Sequence, residues 1–183
     1  MRHNDAETDL KEAFRREIIA DADAQPSIEV EFEKARGINH IEIRSGFSGV
    51  HVLNLSEPLM ASRLGVLDAI KNAKISIDFV KITRDGLSFI IPGAEHDNAK
   101  FTLDKLNINA EVRPNEAVLT VHAVNMRDEE GLVARIVSEV IASGAKIDHL
   151  GDMHDRLLMV MNFDDAKRAE AALRDGIMKE SAE

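Results

Sequence analysis

Residues 117–163 read AVLTVHAVNMRDEEGLVARIVSEVIASGAKIDHLGDMHDRLLMVMNF, and this stretch contains the pattern that decides the fold. AVLTVHAV predicts a strand, NMRDEEG a turn and LVARIVSEVIASG a helix, because apolar residues first alternate and then recur at helical spacing. AKIDHL and LLMVMNF predict two more strands joined at GDMHDR, and DDAKRAEAALRD predicts a second helix. The predicted order is therefore strand, helix, strand, strand, helix.

A weaker copy of this pattern lies about 70 residues upstream, which indicates an internal repeat. VHVLNL predicts its first strand, and Ser56 is a candidate cap for a helix that has Pro58 in its first turn. ISIDFVKI and LSFIIP predict a hairpin at residues 84–86, where Asp-Gly would supply positive φ angles. AEHDNAKFTLDKL predicts a helix with Phe101, Leu103 and Leu106 facing inward, and INAEVR predicts a strand that ends at residues 114–115.

The alignment of the two copies needs two offsets. Leu87 and Phe89 match Leu157 and Met159 at an offset of 70. An offset of 72 instead matches two pairs of residues, Arg63-Leu64 with Arg135-Ile136 and Lys74-Ile75 with Lys146-Ile147. The difference between the two offsets is predicted to fall in the hairpin.

The N-terminal third supplies elements outside the repeat. Residues 5–22 predict a helix with an apolar stripe at Leu10, Phe14 and Ile18; docking on the body and disorder are interpretations of equal weight. SIEVEFE and INHIEIR predict strands, and residues 45–49 predict a turn. Because the second unit has no clear last strand of its own, we expect an N-terminal strand to complete its sheet and interleave the units.

These elements predict an α+β fold in which antiparallel sheets carry their helices on one face. We divide the chain into an N-terminal helical extension at 1–27, strands that precede and complete the pair at 28–47, a first unit at 48–114 and a second at 115–183.

The composition narrows the function classes. The net charge of −10 opposes a nucleic-acid interface or an anionic membrane surface, since both need a basic face. The absence of cysteine excludes disulfides and thiolate chemistry. No apolar run reaches the roughly 20 residues of a spanning helix, so we expect a cytoplasmic protein.

No catalytic or metal constellation stands out, so we expect neither an enzyme nor a cofactor. His149, Asp152, His154 and Asp155 have metal-ligand chemistry, but their spacing matches no known site and polar residues are expected in a hairpin turn. His96-Asp97 precedes a helix, where Asp97 is more readily a cap than half of a catalytic pair.

NMRDEEGLVARI, followed by AKIDHL and LLMVMNF, resembles the ACT domain, a ferredoxin-like regulatory βαββαβ fold that binds amino acids. More narrowly, residues 36–175 resemble the tandem ACT pair at the C-terminal end of aspartate kinases, without the kinase domain. In that family a strand ends in Met-Arg, a turn carries Pro-Gly, and a helix begins with two small or apolar residues and Arg. The matching residues here are Met126, Arg127, Gly131, Val133, Ala134 and Arg135, with Glu130 in place of the proline. In the first unit they are Pro58, Met60, Ala61 and Arg63, with Leu59 in place of glycine.

A turn of this kind presents free backbone N–H groups at a helix N-terminus, where a carboxylate binds, and a glycine lets the ligand approach the backbone. The resemblance implies ligand contacts from the second turn at Asn125, Met126, Arg127, Asp128, Glu130, Gly131 and Leu132. In the first turn it implies contacts from Ser56, Glu57, Met60 and Ala61. On the strands that follow the helices it implies contacts from Ile77, Asp78, Ile147 and Asp148.

The resemblance implies a non-catalytic regulatory module that forms a homodimer and binds a free amino acid, of the lysine or threonine class, at the interfaces between ACT units. A partner enzyme on which the module acts is a further expectation. The alternative is an ACT dimerisation module that binds no ligand and acts on a partner protein. A small enzyme of ferredoxin-like fold is the least favoured interpretation.

Overall fold

The structure is a computed structural model that describes residues 37–124, 126 and 129–180, without the side chains of Val124 and of residues 177–180. The predicted helix at 5–22 and the predicted strand SIEVEFE lie outside the described residues. The strands are β1 Gly37–Val52, β2 Phe79–Ile82, β3 Leu87–Pro92, β4 Ala110–Val124, β5 His149–Asp152 and β6 Arg156–Asn162. The helices are α1 Leu59–Asn72, α2 His96–Lys105 after a short 3₁₀ turn, α3 Leu132–Ala142 and α4 Phe163–Glu180.

The six strands form one antiparallel sheet in the order β2-β3-β1-β4-β6-β5. The two long strands, β1 and β4, each take part in both repeat units. Residues 37–44 of β1 pair with the second half of β4, whereas residues 49–52 pair with β3 and with residues 110–113 of β4. Residues 37–44 therefore stand where the second unit lacks a last strand, and the two units are interleaved.

The turn predicted at residues 45–49 is wrong, and so is the strand end predicted at Pro114-Asn115. Both stretches are bends inside continuous strands, with register shifts between Arg44 and Gly49. Gly46 and Asn115 have φ angles of 87° and 62°, which the regular strand conformation does not use. The physical reason is that a bulge needs the same permissive residues as a turn, but pairing continues on both sides of it.

Each unit buries its own core between its two helices and one face of the sheet. Val66 and Ile70 of α1 share the core of the first unit with Phe89, and Ile136 and Val140 of α3 belong to the core of the second. In α2 only Ala99 and Leu103 are buried, whereas Phe101 and Leu106 are exposed, contrary to the sequence prediction. Residues two positions apart point to opposite sides of a helix, so Phe101 cannot share the face of Leu103.

The helix-free faces of the two half-sheets meet each other. Phe79 of β2 stacks on His149 of β5 with ring centroids 6.0 Å apart, although these strands are the opposite edges of the sheet. A third apolar cluster, with Ile90, Val118 and Val160 at its centre, lies on this inner face. The bends in β1 and β4 therefore let the sheet fold over onto itself.

From the ends of α1 and α3 through the hairpins, the two copies align at the single offset of 70. The offset of 72 predicted for Lys74-Ile75 is therefore wrong. Lys74 and Gly144, which are related by the offset of 70, both end a helix with positive φ. The N–H groups of Asp78 and Asp148, related by the same offset, donate to Ile90 and Val160. Lys74 therefore corresponds to Gly144 and not to Lys146, because the end of a helix is fixed by its backbone conformation.

No helix in residues 37–124 and 129–180 is long and apolar enough to cross a membrane.

Candidate functional site

The first predicted ligand turn occupies residues 53–58, between β1 and α1. The N–H of Leu59 donates to Glu57 Oε2 at 2.9 Å, so a carboxylate of the chain itself occupies the start of the helix. Ser56 is not the cap predicted from the sequence; its backbone carbonyl accepts the Ser62 hydroxyl at 2.7 Å. A ligand carboxylate at this position would have to displace Glu57. Met60 and Ala61 are exposed in the first turn of α1.

Arg63 connects α1 to the hairpin between β2 and β3. Its guanidinium donates to the carbonyls of Thr83 at 2.8 Å, Arg84 at 2.9 Å and Gly86 at 3.3 Å. The N–H of Leu55 adds a bond of 2.9 Å to the carbonyl of Asp85. The first turn is therefore tied to the hairpin by charge-assisted hydrogen bonds, which are stronger than neutral ones.

The second turn leads into α3 and differs from the first. Gly131 is the N-cap residue, has a φ angle of 79°, and makes no side-chain cap. A Cβ on Gly131 would meet no heavy atom of the described residues within 4 Å, so the space beside this backbone is open. Met126 and Leu132 are fully buried in the core, and Glu130 is exposed. Asn125, Arg127 and Asp128, which the resemblance also assigned to the site, lie outside the described residues.

Glu129 is the second acidic residue of this turn. One of its carboxylate oxygens lies 3.9 Å from the Arg135 guanidinium. The other, Oε2, is buried without a hydrogen-bond partner among the described residues. The second turn thus combines open backbone with a carboxylate whose hydrogen-bonding capacity is partly unused.

Asp78 and Asp148 directly precede β2 and β5, and their partners are arginines of the long strands. Arg44 of β1 donates to Asp78 at 2.8 Å, and Arg113 of β4 donates to Asp148 at 3.4 Å. Each arginine lies on the last strand of one unit and reaches an aspartate of the other. Ile77 and Ile147 pack against the two cores. In the described structure the two aspartates therefore connect the units, whereas each isoleucine belongs to the core of its own unit.

No protein-family model matches the sequence, and no curated protein matches it either. Solved structures do match the fold. The regulatory subunit of aspartate kinase from Thermus flavus superposes with a TM-score of 0.67 over 78% of this chain and 99% of its own, at 16% identity. The aspartate kinase of Clostridium acetobutylicum has a TM-score of 0.67 at 15% identity, over 79% of this chain and 36% of its own. Aspartokinase III of E. coli, in complex with lysine and aspartate, has a TM-score of 0.55 at 15% identity, over 75% of this chain and 32% of its own.

The fold is that of the aspartate kinase regulatory region. This confirms the tandem ACT-type α+β architecture predicted from the sequence. At these identities the likeness concerns the fold, so the residues of the two turns have to be judged on their own chemistry.

Within this aspartate kinase regulatory fold, sequence reasoning missed a polar cluster between the two half-sheets. It contains Arg113, Glu116, Asp148 and two histidines, His51 and His149, whose ring centroids are 5.4 Å apart. Burial, followed by the charge of Asp148, raises the pKa of Glu116 to about 7. Burial also lowers the pKa values of His51 and His149. The sequence pattern predicts Glu116 between two strands. In the structure it lies within β4 next to the core residue Ala117, on the face away from the helices, and the meeting of the two half-sheets buries it there.

Two of the candidate metal ligands of the second hairpin, His149 and Asp155, have other partners in this fold. The His149 ring lies against His51 and Phe79, and Asp155 pairs with Arg156 at 2.9 Å. Residues 37–124 and 129–180 contain no group of three or more side chains placed to hold a metal ion.

Proposed function

We propose that this chain is a non-catalytic regulatory module that binds a free amino acid at the second turn and acts on a partner enzyme. The structural neighbours with this fold include aspartate kinases and regulatory subunits of aspartate kinase. One of them, aspartokinase III of E. coli, is described in complex with lysine and aspartate. A regulatory role is therefore supported by the fold, and the ligand is proposed from the turn.

The observation that carries the proposal is the open backbone at Gly131. The first N–H groups of a helix have no partner within the helix, and they favour an anion. At α1 one of them already binds the Glu57 carboxylate. At α3 the N–H of Leu132 donates only to the backbone carbonyl of Glu129 at 3.3 Å, no side chain caps the helix, and no described atom lies within 4 Å of the Cβ position of Gly131. A ligand carboxylate therefore fits the second turn better than the first.

The charge of the second turn favours an amino acid with a cationic or polar side chain. Glu129 and Glu130 would repel the ligand carboxylate but attract ammonium groups, and Oε2 of Glu129 is an unused acceptor in the described part of the chain. Of the lysine and threonine classes implied by the resemblance, lysine carries the second ammonium group that this pair of carboxylates would bind.

Thermal unfolding against a panel of free amino acids tests the proposal. A ligand that binds only the folded state stabilises it by about 2.7 kcal/mol at a hundredfold excess over its dissociation constant. We expect lysine or threonine to raise the unfolding midpoint and Gly131→Trp to abolish the rise by filling the open space. Gly131→Ala carries the same positive-φ strain without the bulk, so it should keep the response.

Ala61→Trp is the control for the first turn, because Ala61 is an exposed residue in the first turn of α1. We expect this variant to respond to the ligand as the parent chain does. Loss of the response in Ala61→Trp but not in Gly131→Trp would move the site to the first turn. No midpoint shift with any amino acid at millimolar concentration would reject ligand binding.

The edge strand β2 supports a homodimer. It pairs only with β3, so one row of its N–H and C=O groups is unpaired in the described structure. Val80 and Ile82 on this strand are 50% and 65% exposed, and Met60 and Leu64 of α1 are also exposed apolar residues. Exposed apolar side chains along an open edge indicate a surface that another chain covers.

We expect Ile82→Lys to shift the chain from dimer to monomer, because an edge lysine opposes strand pairing. Analytical ultracentrifugation over a concentration series measures this directly. The matched control is Ile141→Lys, an exposed apolar residue of α3 whose equivalent in the first unit is Lys71. A monomeric parent chain, or equal effects of the two substitutions, would reject the β2 edge as the interface.

The ligand-free dimerisation module is the second candidate, and one observation favours it. The carboxylate of Glu57 already binds at the start of α1, which is how a turn that has no ligand would be satisfied. A dimer that no amino acid stabilises would select this second function.

A further inference from the structure

The side chain of Glu116 is buried where the two long strands bend. The residue is 3% exposed, and its Oε2 has no hydrogen-bond partner among the described residues. It pairs with Phe47 of β1 at the register shift and with Asn162 of β6. A buried carboxylate without a partner is costly, whereas the neutral acid is tolerated.

The charges around Glu116 do not compensate for a negative charge at this position. Arg113 on its own strand is the cation that acts on it, and Arg113 also binds Glu111 at 2.8 Å and Asp148 at 3.4 Å. Asp148, ahead of β5, and Asp165, on α4, are both acidic. Ionised Glu116 would therefore share this arginine with two other carboxylates and face a third.

Glu116 lies beside the residues that hold the half-sheets together. A Cβ built on Gly49 of β1 would be 3.1 Å from Glu116 Cγ and 3.3 Å from His51 Nε2, so both side chains adjoin the same backbone position. The ring of His51 in turn approaches His149, which stacks on Phe79 of β2. His149 is 6% exposed, its Nδ1 has no partner among the described residues, and Lys81 of β2 acts on its charge.

We propose that Glu116 is a proton-controlled lock between the two units: its neutral carboxyl lets the helix-free faces pack together, and its ionisation loosens that packing. The switch lies between the half-sheets and not at either turn, so it does not depend on the ligand proposal.

The expected pH dependence follows from proton linkage. The pKa of Glu116 is raised from 4.5 to about 7, so the folded chain holds a proton that the unfolded chain has released. The contribution of this group to stability is therefore full below about pH 4.5 and falls as the pH rises through about 7. His51 and His149, with lowered pKa values, act in the opposite direction and lose stability as the pH falls below 6.5.

Glu116→Gln separates the contribution of the carboxyl to the pH dependence of stability from that of the histidines, because glutamine keeps the shape of the side chain but does not titrate. We expect the unfolding equilibrium constants of the parent chain and of Glu116→Gln to diverge between pH 4.5 and pH 7. Above pH 7 the parent chain should be less stable by a constant factor on the order of a hundredfold. Glu42→Gln, on the exposed part of β1, is the control and should leave the pH profile unchanged.

Hydrogen exchange, corrected for the intrinsic effect of pH, tells loosening between the half-sheets from a general loss of stability. In the parent chain we expect β2 and β5 to lose protection between pH 4.5 and pH 7 before the central strands do, and Glu116→Gln to retain it. Equal pH profiles of the parent chain and Glu116→Gln would overturn the proposal. If Glu116→Gln does not fold, carbon NMR of the parent chain decides: a Glu116 carboxyl that titrates near 4.5 would also overturn it.

Discussion

Phe89→Ala is expected to destabilise the body formed by residues 37–180 by about 3–5 kcal/mol, the usual effect of emptying a core aromatic site. Phe89 is fully buried on β3, between the helix layer of the first unit and the sheet, and it is among the largest fully buried side chains. The loss combines the transfer of the ring to water with the cavity left among rigidly packed neighbours.

The unfolding transition should shift as a whole and not split into two. β1 and β4 run through both units, so the first unit cannot lose its core without releasing strands on which the second depends. Met159, which matches Phe89 at the offset of 70, occupies the equivalent place in the second core. We expect Met159→Ala to lower the same transition by about 2–5 kcal/mol.

Urea unfolding followed by circular dichroism and by hydrogen exchange measures both variants, since coincident curves indicate a single cooperative transition. Phe101→Ala is the matched control: it removes the same side chain from a position that is 68% exposed on α2. Its effect should stay within about 0.5 kcal/mol. Two separate transitions, with Phe89→Ala moving only one of them, would contradict the interleaved architecture.

The local hydrophobic pattern predicted most of the helices and strands, because the buried face of each element repeats in the sequence with a fixed period. Leu87, Phe89 and Ile91 alternate in the sequence and lie together on the helix side of β3. No periodic pattern in the sequence shows that β1 and β4 are continuous strands. Gly46 and Asn115 have the composition of turns, and only pairing with distant strands shows that the chain continues through them.

The candidate site was less predictable than the fold, because its chemistry depends on which groups the chain itself already satisfies. Serine commonly caps helices, which is why Ser56 was predicted as the cap, but the side chain of Glu57 binds at the helix N-terminus instead. Asp78 and Asp148 had the position of ligand contacts, but arginines of the other unit's strand bind them. These arginines are 34 and 35 positions away from their aspartates in the sequence, beyond the reach of local spacing.

Gly86→Ala is expected to destabilise the chain by about 3 kcal/mol or more, at the upper end of overpacking effects, because no flexible group can move away. The sequence assigned this glycine to a turn that needs positive φ, yet neither Asp85 nor Gly86 has a positive φ angle. Position 86 needs a glycine because there is no space for a Cβ. A Cβ on Gly86 would be 2.0 Å from the carbonyl oxygen of Val52 and 3.3 Å from the Cα of Leu53.

The clash falls on backbone that several bonds hold in place. Moving the hairpin away from Val52 would strain the bond of Leu55 to Asp85 and the contacts of Arg63 with Thr83 and Gly86. Gly65→Ala is the matched control, because a Cβ there meets no described atom within 4 Å and the residue lies inside α1. It should stabilise the chain by about 0.5–1 kcal/mol through helix propensity. Urea unfolding should therefore show effects of opposite sign on the stability of the two variants. A Gly86→Ala chain as stable as its parent would show that the close approach of Gly86 to Val52 does not constrain the first turn.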